Sequence, residues 1–432
     1  MGKKINEMLE HIKESVCKFY LDNKLECDFH YSNAENKKIG EIYEQIEEQR
    51  VIQQLLSQSS VVILTANKYE KNILHHNVFN LEHQKIKKFE INLFPQHETK
   101  GETYAYSFKW QDYTILHIEA QKTGSYTIGG SADIVRYVIN NKYIFPTAII
   151  SLGICFGADE KKLKLGDIII SKKIYPYFIG TKINEDDYLV DDDNMFRISS
   201  GLNAKIKSVI DENGFKEQKT KVYFGNYVTG EAVVSNLKIR DTFVKITKQE
   251  IIAGEMEGYG LFKECNSATK AIPCIVIKSI CDWAVAKNFD TKSTFERLCD
   301  GDIIVSIAEQ KTLKDRIQAY ASFQAYSALD ILLSKHIFVR SIYERISEFI
   351  VNTREKVVHA NVLRKEIYKL AEGLVIDDVF VLTIIQCLIN NGVISHDETI
   401  LSGNINCLNE KIWRYTFPVE RRIRDVKDKT LD

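Results

Sequence analysis

The stretch that most limits the folds open to this chain runs from Gly254 to Ala284, GEMEGYGLFKECNSATKAIPCIVIKSICDWA. Met256, Gly260, Leu261 and Ala268 can line one face of a helix, while Ile275, Val276, Ile277 and Ile280 make a run suited to a buried parallel strand. The helical part opens at Glu257 and the strand ends at Asp282. In open α/β sheets ligands sit beyond the carboxyl ends of the strands, so these two carboxylates can share one crevice.

The preceding chain repeats this alternation. Val61 to Leu64, Tyr113 to Ile118, Ala148 to Leu152, Ile168 to Ser171 and Val222 to Phe224 read as strands, with helical patterns at Ile134 to Val138, Leu202 to Ile210 and Leu237 to Lys248. The class this predicts is α/β, a mostly parallel mixed sheet flanked by helices. A long helix over Leu313 to Leu333 closes the domain. Between strand and helix lies QKTGSYTIGGSAD, a turn whose backbone N–H groups suit sugar oxygens or phosphate.

Both ends read differently. Residues 1–58 carry helical spacing at Met8, Leu9, Ile12 and Val16 and again at Ile39, Ile42 and Ile46, with no chemical motif, so a packing or oligomerising segment is expected. Beyond residue 337 three helical patterns, Ile342 to Ile350, Val362 to Leu370 and Val379 to Leu388, precede two strand candidates, Val393 to Ser395 and Ile412 to Phe417. That is the outline of a winged helix. Its third helix, Asp377 to Asn390, has no Lys or Arg to meet phosphates, so contact with a protein is expected before contact with nucleic acid. The chain of 432 residues is thus read as an N-terminal helical segment, 1–58, a catalytic domain, 59–336, and a winged-helix-like domain, 337–432.

With 58 basic and 59 acidic residues, no global field recruits nucleic acid or an anionic membrane. The nine cysteines form no CxxC pair, so neither a zinc site nor a redox motif is predicted and reduced, buried thiols are expected. The amino terminus lacks the apolar core of a signal peptide, and the longest apolar run, Ile144 to Ala158, is too short to span a bilayer. A cytoplasmic setting is expected, with no cofactor and no metal.

The run Glu255, Met256, Glu257, Gly258, followed by Lys278, Ser279, Ile280, Cys281, Asp282, resembles two signatures of the nucleoside phosphorylase superfamily, which includes methylthioadenosine/adenosylhomocysteine nucleosidases. Val62 to Ala66, Leu152-Gly153-Ile154 with Gly157, Lys164 to Asp167, and Thr229-Gly230-Glu231 follow the same pattern in order, and the resemblance covers residues 59–336. It implies cleavage of a purine N-glycosidic bond in a homo-oligomeric enzyme. Asp282 would then protonate the leaving base, Glu257 would accept the ribose hydroxyls and Met256 would pack on the sugar. Glu70 aligns with the carboxylate that positions attacking water. Glu255, Glu231, Val233, Val234, Gly153, Ser125 and Ser131 fall in the substrate-binding segments.

Val233 departs from the pattern, since many nucleosidases carry an aromatic there that stacks on the base; Tyr227 and Tyr259 are candidates to replace it. Phosphorylases of this kind hold phosphate with an Arg before the central Gly and with a Gly-Asp-Pro-type turn. This chain has Ser151 and Thr65-Ala66-Asn67 there, which favours water as nucleophile. A phosphate-dependent phosphorylase and a nucleotide sensor without turnover stay open as alternatives. Superfamily members with additional domains also resemble effectors of bacterial antiviral defence that destroy adenine nucleotides.

Overall fold

A computed structural model describes residues 45, 48–49, 51–81, 86–93, 103–141, 143–178, 182–183, 188–189, 195–212, 214–216, 220–268, 271–284, 310–352, 357–371, 378–390, 393–394 and 416–418. The chain divides into two compact units, Met1–Leu55 and Leu56–Asp432. Residues 51–58 are helical as expected; the helices expected before them fall almost wholly outside the described residues.

In the second unit one large sheet runs through β11 (Ile251–Glu255), β10 (Val222–Thr229), β6 (Ile168–Pro176), β12 (Cys274–Asp282), β5 (Ala148–Gly157), β1 (Val61–Thr65), β4 (Tyr113–Glu119), β3 (Thr103–Trp110) and β2 (Lys87–Ile91), in that order. Its centre is β1 (Val61–Thr65), β4 (Tyr113–Glu119), β5 (Ala148–Gly157) and β12 (Cys274–Asp282), all parallel to their neighbours in this group. These strands are buried along nearly their whole length, which is why they read as continuous apolar runs. Antiparallel β2 (Lys87–Ile91) and β3 (Thr103–Trp110) extend one side. Edge strand β2 turns Lys87, Lys88 and Glu90 outward, charges that discourage further strand pairing.

On the other side β6 (Ile168–Pro176), β10 (Val222–Thr229) and β11 (Ile251–Glu255) continue the sheet and bend it back on itself. Phe156 and Gly157, at the end of β5, pair antiparallel with Gly254 and Ala253 of β11. Strands β5, β12, β6, β10 and β11 therefore close into a ring whose mouth lies at the end of β5. A bulge between Ile280 and Asp282 puts Asp282 rather than Cys281 opposite Phe156 at that mouth. The predicted α/β class and mixed sheet are borne out. β2, β3 and β11 were missing from the sequence reading, and β5, β6 and β10 run several residues further than expected. Short β7 (Lys182–Ile183) and β8 (Tyr188–Leu189) pair with each other, and β9 (Phe196–Arg197) pairs with β6.

Helices cover the sheet: α1 (Lys68–Leu81), α2 (Ser131–Asn140), α3 (Ser200–Asp211), α4 (Leu237–Val244), α5 (Gly258–Ser267) and α6 (Gln310–Ser334). Helix α2 packs on α5, and α6 packs on α1, β5 and β12.

Helices α7 (Ile342–Asn352), α8 (Ala360–Leu370) and α9 (Asp378–Asn390) surround a core of their own, with Ile346, Ile350, Leu363, Ile367, Val381, Ile384 and Leu388 buried together. Between α7 and α8 runs β13 (Val357–His359), absent from the sequence reading, which pairs antiparallel with β14 (Thr416–Pro418). The expected strand near residue 416 is therefore present with a different partner, while residues 395–415 lie outside the described residues. This group docks on the starting ends of the central strands. Glu344, in the first turn of α7, accepts from Thr114 N–H at 2.8 Å, from the Thr114 hydroxyl at 2.7 Å and from Lys109 Nζ at 2.8 Å. Phe145, just before β5, packs on Phe380 with ring centroids 3.8 Å apart and planes tilted by 47°.

Candidate active site

At the opposite, carboxyl ends of the same strands a cavity of about 250 Å³ opens. It is lined by Glu70, Glu255, Met256, Glu257, Lys278 and Asp282, with Val233 and Val234 on one wall. Strand β1 ends at Thr65, and the chain turns into α1 through Ala66 and Asn67. The Asn67 side chain caps the helix by accepting Tyr69 N–H at 2.9 Å and Glu70 N–H at 3.1 Å. Glu70 reaches back, its Oε2 accepting Ala66 N–H at 2.6 Å and Asn67 N–H at 3.1 Å, while its Oε1 takes Ile154 N–H from β5 at 2.9 Å. Gly153 makes that last approach possible, since a Cβ there would stand 1.9 Å from Glu70 Oε1.

Glu255 ends β11 and caps α5, its carboxylate accepting Glu257 N–H at 2.9 Å and Gly258 N–H at 2.8 Å. Glu257 is thereby held at the helix start, its Oε1 receiving Gly124 N–H at 3.3 Å and its Oε2 lying 2.5 Å from Lys278 Nζ. Lys278 is 1 % exposed and also lies 3.9 Å from Glu255 Oε2. Asp282 Oδ1 accepts Ala284 N–H at 2.9 Å, and Cys281 Sγ lies 3.6 Å from its Oδ2.

Three buried carboxylates thus face one ammonium. Desolvation pushes the Glu70 carboxyl up to about 7, with Glu257 adding to the rise and Lys278 opposing it. Glu255 is also raised by burial, against the pull of Lys278. For Lys278 burial works against the charged form, but Glu257, Glu70 and Glu255 together outweigh it and raise its pKa. The ammonium remains charged and can offset only part of the negative charge around it. The cavity therefore has an acidic wall suited to sugar hydroxyls and to positive charge developing on a sugar ring.

The remaining expected residues stand behind this wall. The Ser125 hydroxyl donates to Met256 O at 2.9 Å and accepts Gly260 N–H at 2.9 Å, while Ser131 Oγ donates to Glu257 O at 2.7 Å. Both serines fix the main chain beside Glu257 and neither lines the cavity. Glu231 accepts Ser125 N–H and Tyr126 N–H, each at 3.1 Å, so the turn expected to receive a ligand is clamped by the chain's own carboxylate. Gly153 sits behind Glu70. Tyr227 and Tyr259 are buried away from the cavity lining, Tyr227 donating to Ile169 O at 2.7 Å.

Residues that the sequence reading gave no role also line the cavity, among them Tyr69, Phe156, Tyr177, Lys278 and Gln318. Lys278 had a signal, a lone charge inside an apolar strand, which demands buried partners. Gln318 had none, because its place depends on how α6 crosses the sheet. Among the described residues no group of His, Cys, Asp and Glu is arranged to hold a metal ion, and no helix is long and apolar enough to cross a membrane.

No protein-family model matches the chain. A death domain-containing ATP nucleosidase from Amphimedon queenslandica is 30% identical over 190 residues, 39% of this chain and 35% of that protein. The match thus spans about a third of that relative's length. Similar solved structures include the futalosine hydrolase of Helicobacter pylori, 17% identical with a TM-score of 0.45 over 64% of this chain and 98% of that one. The S-adenosylhomocysteine nucleosidase of Streptococcus pyogenes is 16% identical with a TM-score of 0.46, covering 65% of this chain and 98% of its own.

Proposed function

We propose that this chain is an N-ribosyl hydrolase of the nucleoside phosphorylase superfamily, cleaving the bond between a purine base, adenine foremost, and its ribose in a nucleoside or nucleotide. The observation that carries the reading is the meeting of Glu70, Glu257 and Asp282 around one cavity, with Lys278 buried between the first two. The name of the Amphimedon relative supports an adenine nucleotide as substrate and the hydrolytic outcome.

Glu257, ion-paired with Lys278, accepts the ribose hydroxyls. Glu70, with a pKa of about 7, takes a proton from water as the oxygen adds to the anomeric carbon. The C–N bond electrons leave with the base, and Asp282 supplies the proton the base requires. The products are free purine and ribose or its phosphate. Water is favoured over phosphate because Lys278, the one cation lining the cavity among the described residues, is already ion-paired. The N–H groups of Gly124, Ser125 and Tyr126 are likewise taken by Glu257 and Glu231.

The reading extends to a three-part chain, 1–58, 59–336 and 337–432, forming a homo-oligomer in the cytoplasm, with a protein contact through the last part and a role in antiviral nucleotide depletion. Support for the last boundary comes from the separate core of α7 to α9, and support for a reducing setting from the buried free thiols of Cys155, Cys265, Cys274, Cys281 and Cys387. Incubating purified protein with adenosine, ATP and their deoxy forms, with and without phosphate, and separating the products by chromatography tests it. Free adenine without phosphate is expected. Strict dependence on phosphate moves the assignment to phosphorylase, and no base release from any purine removes it.

A further inference from the structure

The segment expected to supply a ring for the base does not do so: Val233 is 52% exposed at the cavity rim and has no flat face. We propose that Phe156 fills this role, its ring being the surface on which the purine stacks and the feature that selects a flat heterocycle. The inference rests on the hydrolase reading and adds to it the residue that grips the base.

Phe156 is the penultimate residue of β5 and the point where the ring of strands closes. It pairs with Gly254 of β11 on one side and with Asp282 of β12 on the other. The group that meets the leaving base is therefore its lateral neighbour. A Cβ at Gly254 would lie 2.0 Å from Phe156 Cζ, so the ring tip rests directly on the β11 backbone in space that only glycine leaves open. Behind it Tyr175, Val228, Ile246 and Ile251 form an apolar cluster against which Phe156 packs. Held from below and behind, the ring meets a base without first losing rotamer freedom.

The other aromatic rings of the lining are otherwise engaged. The Tyr177 hydroxyl donates to Ala232 O at 3.2 Å and accepts Ala232 N–H at 2.7 Å, and its ring stacks on Phe243 at 4.1 Å. Tyr177 is thus a pillar for the loop that carries Glu231 and Val233. Tyr69 adjoins Glu70 and donates to Asp315 at 2.6 Å, which places it toward the nucleophile rather than the base. Among the described residues Phe156 is the lining ring beside Asp282.

The test compares the full-length chain with Phe156→Leu, which keeps apolar bulk without a π face, and Phe156→Tyr, which keeps the ring. Steady-state release of adenine from adenosine and from ATP gives KM and kcat, and a thermal melt reports the fold. Base–aromatic stacking predicts a rise in KM of about 5- to 150-fold for Leu, a far smaller change in kcat, and near wild-type behaviour for Tyr. Should Leu not fold, Phe156→Met serves the same comparison, being apolar, adaptable and ringless. A ringless variant with unchanged KM, or Leu and Tyr affected equally, overturns the inference while wild-type turnover leaves the hydrolase reading intact. A wild-type chain that releases adenine from neither substrate overturns that reading and this inference with it.

Discussion

Lys278 Nζ lies 2.5 Å from Glu257 Oε2 with both side chains almost wholly buried in the cavity wall, so the two charges sustain each other. Removing the cation leaves Glu257 and its acidic neighbours with no counter-charge. Lys278→Met is expected to destabilise the fold by about 3–5 kcal/mol, the cost of breaking a buried pair, and to abolish turnover. Chemical denaturation and the adenine-release assay read the two effects; a Met variant with normal stability would show that the pair contributes little.

In the proposed mechanism Glu70 acts as a base, and only when ionised. With its carboxyl raised to about 7, Glu70 is expected to give kcat/KM a limb that climbs with pH through that region, and Glu70→Gln is expected to remove most activity along with this limb. Stability moves the other way. A carboxyl raised in the folded state binds more protons than it does unfolded, so its stabilising contribution is full below about 4.5 and is lost as pH rises through about 7. A pH series of thermal melts should therefore show a shallower decline for Glu70→Gln than for wild type across that window.

The histidine pair beneath β1 contributes with the opposite sign. His117 Nε2 lies 2.9 Å from Thr65 Oγ1 and its Nδ1 lies 2.9 Å from His75 Nε2. Burial, with Lys71 assisting, lowers His75 to about 4, and burial, with His75 and Lys71 assisting, takes His117 well below its ordinary value. Both rings are neutral in the fold, so their contribution is full above about 6.5 and is lost as pH falls toward 4. In His75→Leu the loss of stability between pH 6.5 and 4 is expected to shrink; an unchanged acid limb in urea melts would exclude the pair as its source.

The sheet centre and the acidic pair were legible because β1, β5 and β12 are buried on both faces and so carry unbroken apolar runs. Glu257 and Asp282 stand where a helix begins and a strand ends, positions that local pattern marks, while the resemblance to a known family singled them out there. Phe156 was not legible as part of the site. It reads as one more apolar residue until the antiparallel closure of β5 on β11 turns it toward the cavity, and closure between distant strands leaves no local trace. Ser125 and Ser131 were expected as ligand contacts from the family resemblance of a glycine-rich turn, yet they bond to Met256 O and Glu257 O. The turn's chemistry was legible, but its occupant was a neighbouring chain segment.

Asp282→Asn keeps an oxygen for Ala284 N–H, so the backbone at the end of β12 retains its bond. Only the acid is removed. Turnover is expected to fall by about 10²–10⁴ with little change in thermal midpoint, the range typical of losing a general acid. Near-normal adenine release would take the proton-donor role from Asp282.

Glu344 provides the contrasting case, a buried carboxylate whose work is entirely at the other end of the strands. It serves Thr114, Lys109 and the N–H of Ser341, the last at 3.1 Å, while the Ser341 hydroxyl oxygen accepts Glu344 N–H at 3.1 Å. That reciprocal cap starts α7 and fastens it to the beginning of β4. Glu344→Ala leaves several buried donors unpaired, each costing about 1–3 kcal/mol, so a clear loss of stability is expected. Because β4 separates this junction from the cavity, kcat and KM of the folded fraction should match wild type. A large drop in kcat without a drop in melting temperature would instead show that the α7 to α9 group controls the chemistry through this carboxylate.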